Sequence, residues 1–284
     1  MSVAQREKGE RFRRLHEGPC FVIPNPWDVG SAKVLAGMGF AALATSSAAS
    51  AAGKGKHDGE LTREEALGHA RTIVGATELP VSADLENGFG DAPAAVAQTV
   101  RLAGEAGLVG CTIEDTKGED RSGGTAKPLY DFELAVERVA AGVKAARALG
   151  FPFLLTARTH NLLFAGGQLE ETARRLQAFE KAGADVLFAP GLPDLATVRA
   201  VCGALTKPFN FMVGIPGKSF SVSELAAAGV RRISLATSLY RAAMTGFLDA
   251  AREVQDRGTF TFLDRSVKNT GEVVDLMGSS RLGD

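Results

Sequence analysis

Eight short apolar runs recur along this chain, each followed by an Ala-rich, charge-bearing stretch, and no other feature limits the fold so strongly. They read CFVIPN (20–25), AALATS (41–46), PVSADL (80–85), GCTIED (110–115), FLLTAR (153–158), DVLFAP (185–190), PFNFMV (208–213) and RRISLAT (231–237). The stretches between them, such as PAAVAQTVRLAGEAG and QLEETARRLQAFEKAGA, carry apolar residues at helical spacing, and most end in Gly, as helices closed by a left-handed cap do. Strands that are apolar almost without alternation are buried on both faces, and strand-helix alternation forces a parallel sheet with right-handed crossovers. Eight such units close most simply into a single (β/α)8 TIM-type barrel, with a doubly wound open sheet as the alternative. The barrel domain is expected over residues 1–257, followed by a C-terminal extension, 258–284, that packs on a neighbouring subunit or stays partly loose.

Composition narrows the function classes. The chain has 284 residues, 45% apolar and 23% charged, with a formal net charge of -1, which fits a globular enzyme and offers no basic footprint for nucleic acid. Its first residues, MSVAQREKGERFRRL, lack the apolar core of a secretion signal, and no 18-residue apolar run is present. A cytoplasmic protein without a membrane partner is expected. Cys20, Cys111 and Cys202 are widely spaced and odd in number, which fits reduced thiols, the latter two as small core residues.

In a barrel of this kind the active site forms where the strands end. Asp84 and Glu86 fall there on the third strand, Glu114 and Asp115 on the fourth, Arg158 on the fifth and Asn210 on the seventh, while Thr45, Ser46 and Ser47 follow the second. Taken singly, such an Asp often caps the next helix, and a lone Arg often pairs on the rim. Asp84, Glu86 and Glu114 in one pocket, however, repel one another unless a cation or proton relieves them. Oxygen ligation without a Cys or His cluster favours a hard ion, Mg2+ or Mn2+, held by few direct carboxylates and several waters. Of the four histidines, none has zinc-ligand spacing; His69 is expected on a helix surface and His57 near the site in the loop after the second strand. GIPGKSF (214–220) is not a phosphate loop, because the first Gly of that motif would fall at Met212, and no G-x-G-x-x-G follows the first strand.

Over residues 15 to 255 the chain resembles the isocitrate lyase and phosphoenolpyruvate mutase superfamily. The resemblance is carried by PNPWDVGSAKVLAGMGFAALATSSAASAAG, PVSADLENGFGD, GCTIEDT, LLTART and GVRRISLATSLYRAA. It implies a barrel whose C-terminal helix is exchanged between subunits of a homodimer or homotetramer. It further implies Mg2+ bound by Asp84, with Glu86 and Glu114 holding metal-bound waters and Asp58 as a loop carboxylate. By the same resemblance Thr45, Ser46 and Ser47 grip a substrate carboxylate, Arg158 binds the 2-oxo acid, Trp27 walls the pocket and Asn210 faces the substrate. Arg158, Glu114 and Lys117 are the catalytic candidates.

Departures from the superfamily pattern bear on the reaction. The carbon-carbon lyases carry a catalytic Cys in Lys-Lys-Cys-Gly-His after the fourth strand, where this chain reads DTKGEDRSGGTAKPLYD, without Cys or His. Lys117, Arg121 and Lys127 in that loop are either lid contacts or solvated charges. Ala189 stands where lyases carry a glutamate nearby, and Glu86 stands where many members have Asp. The expected activity is Mg2+-dependent cleavage at C3 of a small 2-oxo or hydroxy di- or tricarboxylate through an enolate. Decarboxylation of an oxaloacetate-like acid suits the Cys-less loop, since CO2 leaves without a proton. Carbon-phosphorus chemistry, of the mutase or phosphonopyruvate hydrolase type, is the second reading, and a non-catalytic 2-oxo acid binding protein the third.

Overall fold

A computed structural model describes residues 3–118, 128–164, 167–266 and 270–278. Each of the eight apolar runs contains one strand: β1 (Phe21–Ile23), β2 (Leu43–Ala44), β3 (Val81–Asp84), β4 (Gly110–Glu114), β5 (Leu154–Arg158), β6 (Val186–Phe188), β7 (Phe209–Met212) and β8 (Arg232–Ser234). The helices are α1 (Val3–Glu17), α2 (Val29–Gly37), α3 (Ser47–Ala52), α4 (Arg63–Gly75), α5 (Pro93–Glu105), α6 (Phe132–Ala148), α7 (Asn161–Phe164), α8 (Leu169–Lys181), α9 (Leu195–Gly203), α10 (Val222–Ala227), α11 (Ser238–Arg257) and α12 (Thr270–Gly278).

All strand pairs are parallel, in the order β1-β8-β7-β6-β5-β4-β3-β2, which makes the sheet a (β/α)8 barrel open only between β1 and β2. That seam is stitched by Ala44 N donating to Pro24 O at 3.0 Å and by the Asn25 side chain. Asn25 Nδ2 donates to Thr45 O at 3.0 Å, while its Oδ1 accepts from Leu235 N at 2.9 Å, so one buried amide ties three strand ends.

Local chemistry starts the helices at the mouth. Asp28 with Ser31, Thr62 with Glu65 and Ser221 with Glu224 form reciprocal capping boxes on α2, α4 and α10. Helix ends follow the Gly rule: Gly107, Gly183 and Gly229, just past α5, α8 and α10, take the left-handed backbone expected of them. The apolar core fills the layer between barrel and helices, with Val96, Val100, Ile113, Leu155, Phe179 and Leu187 all fully buried. Phe12 and His16 of α1 are buried at the end opposite the mouth.

The barrel interior corrects one expectation. The strands are not apolar on both faces, because alternate residues point inward and many of these are polar. Ser82 and Asp84, Thr112 and Glu114, Asn210, Arg232 and Ser234 line one interior cavity. Outward residues such as Cys111, Ile113 and Leu155 supply the apolar character that dominates the sequence runs. Cys111 is wholly buried and Cys202 half-buried against the core, and all three cysteines are free.

Beyond the barrel, α11 buries only Glu253 and leaves Phe247 62% exposed; Phe260, in the turn that follows, is 60% exposed. Part of the C-terminal extension rests on its own chain: α12 lies against α2, with Leu276 O touching the Cα face of Gly37 so closely that no side chain fits there. Among the described residues no helix is long and apolar enough to cross a membrane.

Candidate active site

Three neighbouring strands end on charged residues that meet. Glu114 closes β4 directly opposite Arg158, which closes β5, and Asp84 closes β3 beside Thr112. Arg158 Nη1 lies 3.6 Å from Asp84 Oδ2 and 3.5 Å from Glu114 Oε2. Both separations exceed the 2.7–2.9 Å of a charge-assisted hydrogen bond, so one guanidinium is shared between two carboxylates and saturates neither. The guanidinium also lies over the Phe188 ring, 4.8 Å from its centre, and its buried Nε makes no hydrogen bond.

The two carboxylates are held differently. Glu114 accepts from Thr116 Oγ1 and lies 2.9 Å from His160 Nε2. Burial pushes its pKa up, but His160 and Arg158 outweigh that and hold the carboxyl well below the usual range. His160 is only 2% exposed; burial and Arg158 push its pKa down while Glu114 pushes it up, and Nε2–H donates to Glu114. Its backbone N–H donates to Asp115 Oδ1 at 2.9 Å, and Asp115 Oδ2 accepts from Arg175 at 3.1 Å.

Asp84 is in the opposite condition. Burial raises its pKa; Arg158 offsets part of that, and Glu114 and Asp58 add repulsion. Ser47 Oγ donates to Asp84 Oδ2 at 3.2 Å, and Asp84 N donates to Thr45 Oγ1 at the same distance. Ser46 Oγ caps α3 through Ala49 N. The three hydroxyls after β2 are therefore engaged in setting Asp84 and starting α3. What they offer a ligand beyond this is their cavity-facing surface.

Glu86 stands on a loop that is strained and braced. Its φ of 50° and the 59° of Phe89 are unusual for residues with side chains. Glu86 N donates to Asp84 Oδ1 at 3.2 Å, and Glu86 O accepts from Glu114 N at 2.9 Å. Arg138, buried in α6, donates to the carbonyls of Asn87, Gly90 and Asp91, and Tyr130 donates to Asp91 Oδ1 at 2.6 Å. Between the two strained residues, Gly88 has a φ of 83°, and a Cβ there would come within 3.1 Å of Val96.

The cavity these residues line holds about 220 Å3, below the roughly 300–1,000 Å3 of sites for drug-sized ligands, and so suits a small acid. Four carboxylates, Asp58, Asp84, Glu86 and Glu114, line it against two guanidinium groups, Arg158 and Arg232. Among the described residues no three His, Cys, Asp or Glu side chains close into a ready-made metal cluster. The donor set instead fits a hard divalent ion held by few protein oxygens and several waters, for which an excess of two negative charges is the right complement.

Asp58, Asp84, Glu86, Glu114, Arg158, Asn210, Thr45, Ser46 and Ser47 are brought together around this one cavity. Other expected site residues lie elsewhere. Trp27 is absent from the lining and packs edge-on against Tyr240 of α11, 5.8 Å between centres. His57 is exposed and does not face the cavity. His69 is not a surface residue: it is half-buried, bonded to Ser50 Oγ at 2.9 Å and Trp27 O at 3.0 Å. Lys117 borders an adjoining cleft that shares Glu86 and Glu114 with the main cavity, and Arg121 and Lys127 lie outside the described residues. His160, Asn25 and Arg232 line or shape the cavity without having been singled out from the sequence. For Arg232 a signal existed, since an arginine inside an otherwise buried strand run must face something polar.

Known proteins match the chain over most of its length. A family model described as phosphoenolpyruvate phosphomutase matches residues 12–255. A crystal structure from Burkholderia cenocepacia J2315, described as a candidate lyase/mutase, is 49% identical, covers 95% of this chain and 96% of its own, and superposes with a TM-score of 0.90. A 2,3-dimethylmalate lyase, described as a PEP mutase/isocitrate lyase superfamily member, is 27% identical with a TM-score of 0.82, covering 98% of this chain and 95% of its own. An oxaloacetate decarboxylase of Ectopseudomonas mendocina (strain ymp) is 29% identical over 260 residues, 89% of this chain and 88% of that protein.

Proposed function

The chain belongs to the phosphoenolpyruvate phosphomutase family, and from that premise we propose that it is a Mg2+-dependent lyase cleaving the bond at C3 of a small 2-oxo or 2-hydroxy di- or tricarboxylate. The observation that carries the reading is Asp84, a largely buried carboxylate raised in pKa and only partly offset by an Arg158 that Glu114 shares. Such a group calls for a cation. Asp84 would hold Mg2+ directly, with Glu86, Glu114 and Asp58 positioning its waters; Mn2+ has the same ligand preferences. When bound, the metal supplies Lewis-acid stabilisation of the negative charge developing on the 2-oxo oxygen.

The chain's own residues do the rest. Arg158, with an unused buried Nε–H, binds the acid end of the substrate and offsets its charge. Thr45 and Ser47 fix Asp84, and the His160–Glu114 pair keeps one carboxylate ionised beside the same Nη1 of Arg158 that Asp84 faces. No cysteine reaches the cavity to protonate a departing carbanion, since Cys111 points into the outer core. A leaving group that departs without needing a proton fits best, which favours loss of CO2 from an oxaloacetate-like acid. Carbon-phosphorus cleavage, which passes through the same enolate, is the second reading, and the family model's description favours it.

The test is a Mg2+-dependent turnover screen with oxaloacetate, 2-methylisocitrate, isocitrate and phosphonopyruvate. Pyruvate from oxaloacetate, lost in Asp84→Asn, is the expected result; full activity in that variant contradicts the reading. The uncovered apolar side of α11 further points to a homodimer in which a second copy lies over Phe247 and Phe260, with exchange of the helix. A monomeric mass by light scattering would overturn that assembly. The free thiols and the acidic small-molecule site suit a cytoplasmic enzyme.

A further inference from the structure

The deepest charged group in the cavity is Arg232, 4% exposed at the start of β8. Its place follows from strand register: Arg158 pairs with Phe188, Phe188 with Asn210, and Asn210 with Arg232. Three steps of about 4.8 Å along a sheet tilted by about 36° set Arg232 roughly 8 Å deeper than Arg158. From there its side chain crosses the barrel. Nε donates to Asn210 Oδ1 at 2.7 Å and Nη2 to Thr156 Oγ1 at 3.0 Å, while Nη1 lies 3.4 Å from His16 Nε2. His16 Nδ1 is 2.8 Å from Phe12 O, which makes Nδ1 the donor and Nε2 the acceptor.

Every one of these partners is neutral. Among the described residues no carboxylate contacts Arg232, and its three nitrogens make one bond each, which leaves two of its five N–H groups without an acceptor there. A buried, unpaired cation is costly unless something anionic completes it. The cavity is open down to this level, and Asn210 and Ser234, bonded to each other at 3.0 Å, flank the guanidinium.

We propose that Arg232, with Asn210 and Ser234, forms a floor subsite that recognises the second anionic group of the substrate, the one carried on C3, and so selects dianionic over monoanionic 2-oxo acids. This rests on the reading of the mouth as a 2-oxo acid site. The shared chemistry is a carboxylate or a phosphonate, and two arms of the test separate them. The subsite explains why a pocket with four acidic groups at its rim keeps an arginine at its base: the rim takes the metal-binding end and the floor takes the remote charge.

The experiment is calorimetric titration of the full-length protein in Mg2+ with pyruvate, oxaloacetate and phosphonopyruvate, for the wild type, Arg232→Gln and Arg232→Lys. The wild type is expected to bind at least one dianion ten-fold or more tighter than pyruvate, whichever of the two marks the natural remote group. Arg232→Gln is expected to weaken that dianion about 10- to 100-fold, the range for hydrogen bonds to charged groups, with pyruvate binding unchanged and partial rescue in Arg232→Lys. Unchanged pyruvate binding also shows that the variant is folded. Equal wild-type affinity for all three ligands, or equal losses for pyruvate and dianion in Arg232→Gln, overturns the floor subsite while leaving the mouth's assignment standing. A wild type that binds none of the three removes the 2-oxo acid reading itself, and this one with it.

Discussion

Arg158 and Arg232 are the same residue in the same barrel, three strands apart, and their company is opposite. Arg158 is shared by Asp84 and Glu114 and stacks on Phe188; Arg232 touches Asn210, Thr156 and His16, all neutral. The first arginine is short of positive charge for its neighbours, and the second has more than its neighbours can use. The cavity is thus polarised, negative at the rim and positive at the floor. That arrangement suits a ligand presenting a cation-chelating end upward and a second anion downward.

The sharpest way to break the contrast is at the rim. Arg158→Gln leaves Asp84 and Glu114 facing each other with no cation between them, and kcat/KM is expected to fall about 10²–10³-fold, as for loss of one preorganised donor at a charged centre. Steady-state kinetics at saturating Mg2+ check this. A loss no larger than that seen in Arg232→Gln, and confined to the same dianionic substrates, would erase the distinction between the two arginines.

Next in size is an effect on stability with the opposite sign to that on activity. A carboxyl whose pKa is raised on folding opposes folding above its unfolded pKa, and that opposition fades as pH falls. Asp84 is such a group, chiefly through burial. In metal-free buffer at neutral pH, Asp84→Asn is therefore expected to melt higher than the wild type, by roughly 2–4 °C for each kcal/mol recovered. A lower Tm would mean that Asp84 is held by structural bonds rather than kept for a ligand.

The smallest effect probes the floor from below. Burial and Arg232 lower the pKa of His16 from 6.5 to about 3. A base whose folded pKa is depressed contributes stability that is complete above its unfolded pKa and is lost as pH falls toward the folded value. Between pH 7 and pH 5 this amounts to about 2 kcal/mol. Thermal melts from pH 7 to 5 should show the decline, and His16→Gln should flatten it. An unchanged slope in that variant would remove His16 as the neutral partner beneath Arg232.

Much of the barrel was legible because its outer layer is written in contiguous residues. Each apolar run holds one strand, and the Gly-ended amphipathic stretches between them became helices. The rim was legible for a related reason: Asp84, Glu114 and Arg158 each terminate such a run, and strand ends are where barrel sites form. What was illegible depends on contacts across the barrel. His160 meets Glu114 from 46 positions away, and Arg232 meets Thr156 from 76, so neither pairing leaves a spacing to read. Trp27 sits in a loop whose direction no local pattern fixes, and its ring turned toward Tyr240 rather than the cavity. From the sequence His69 reads as a surface residue, because its bonds to Ser50 and Trp27 O join segments that only the closed barrel brings together.

The central claim is that the rim, and Asp84 above all, is a divalent-cation site. Mn2+ titration followed by electron paramagnetic resonance tests it without reference to any substrate. The wild type should bind one Mn2+ per chain, displaced by Mg2+, and Asp84→Asn should lose at least ten-fold in affinity while Arg232→Gln keeps it. Equal Mn2+ affinity in the wild type and Asp84→Asn would contradict the account.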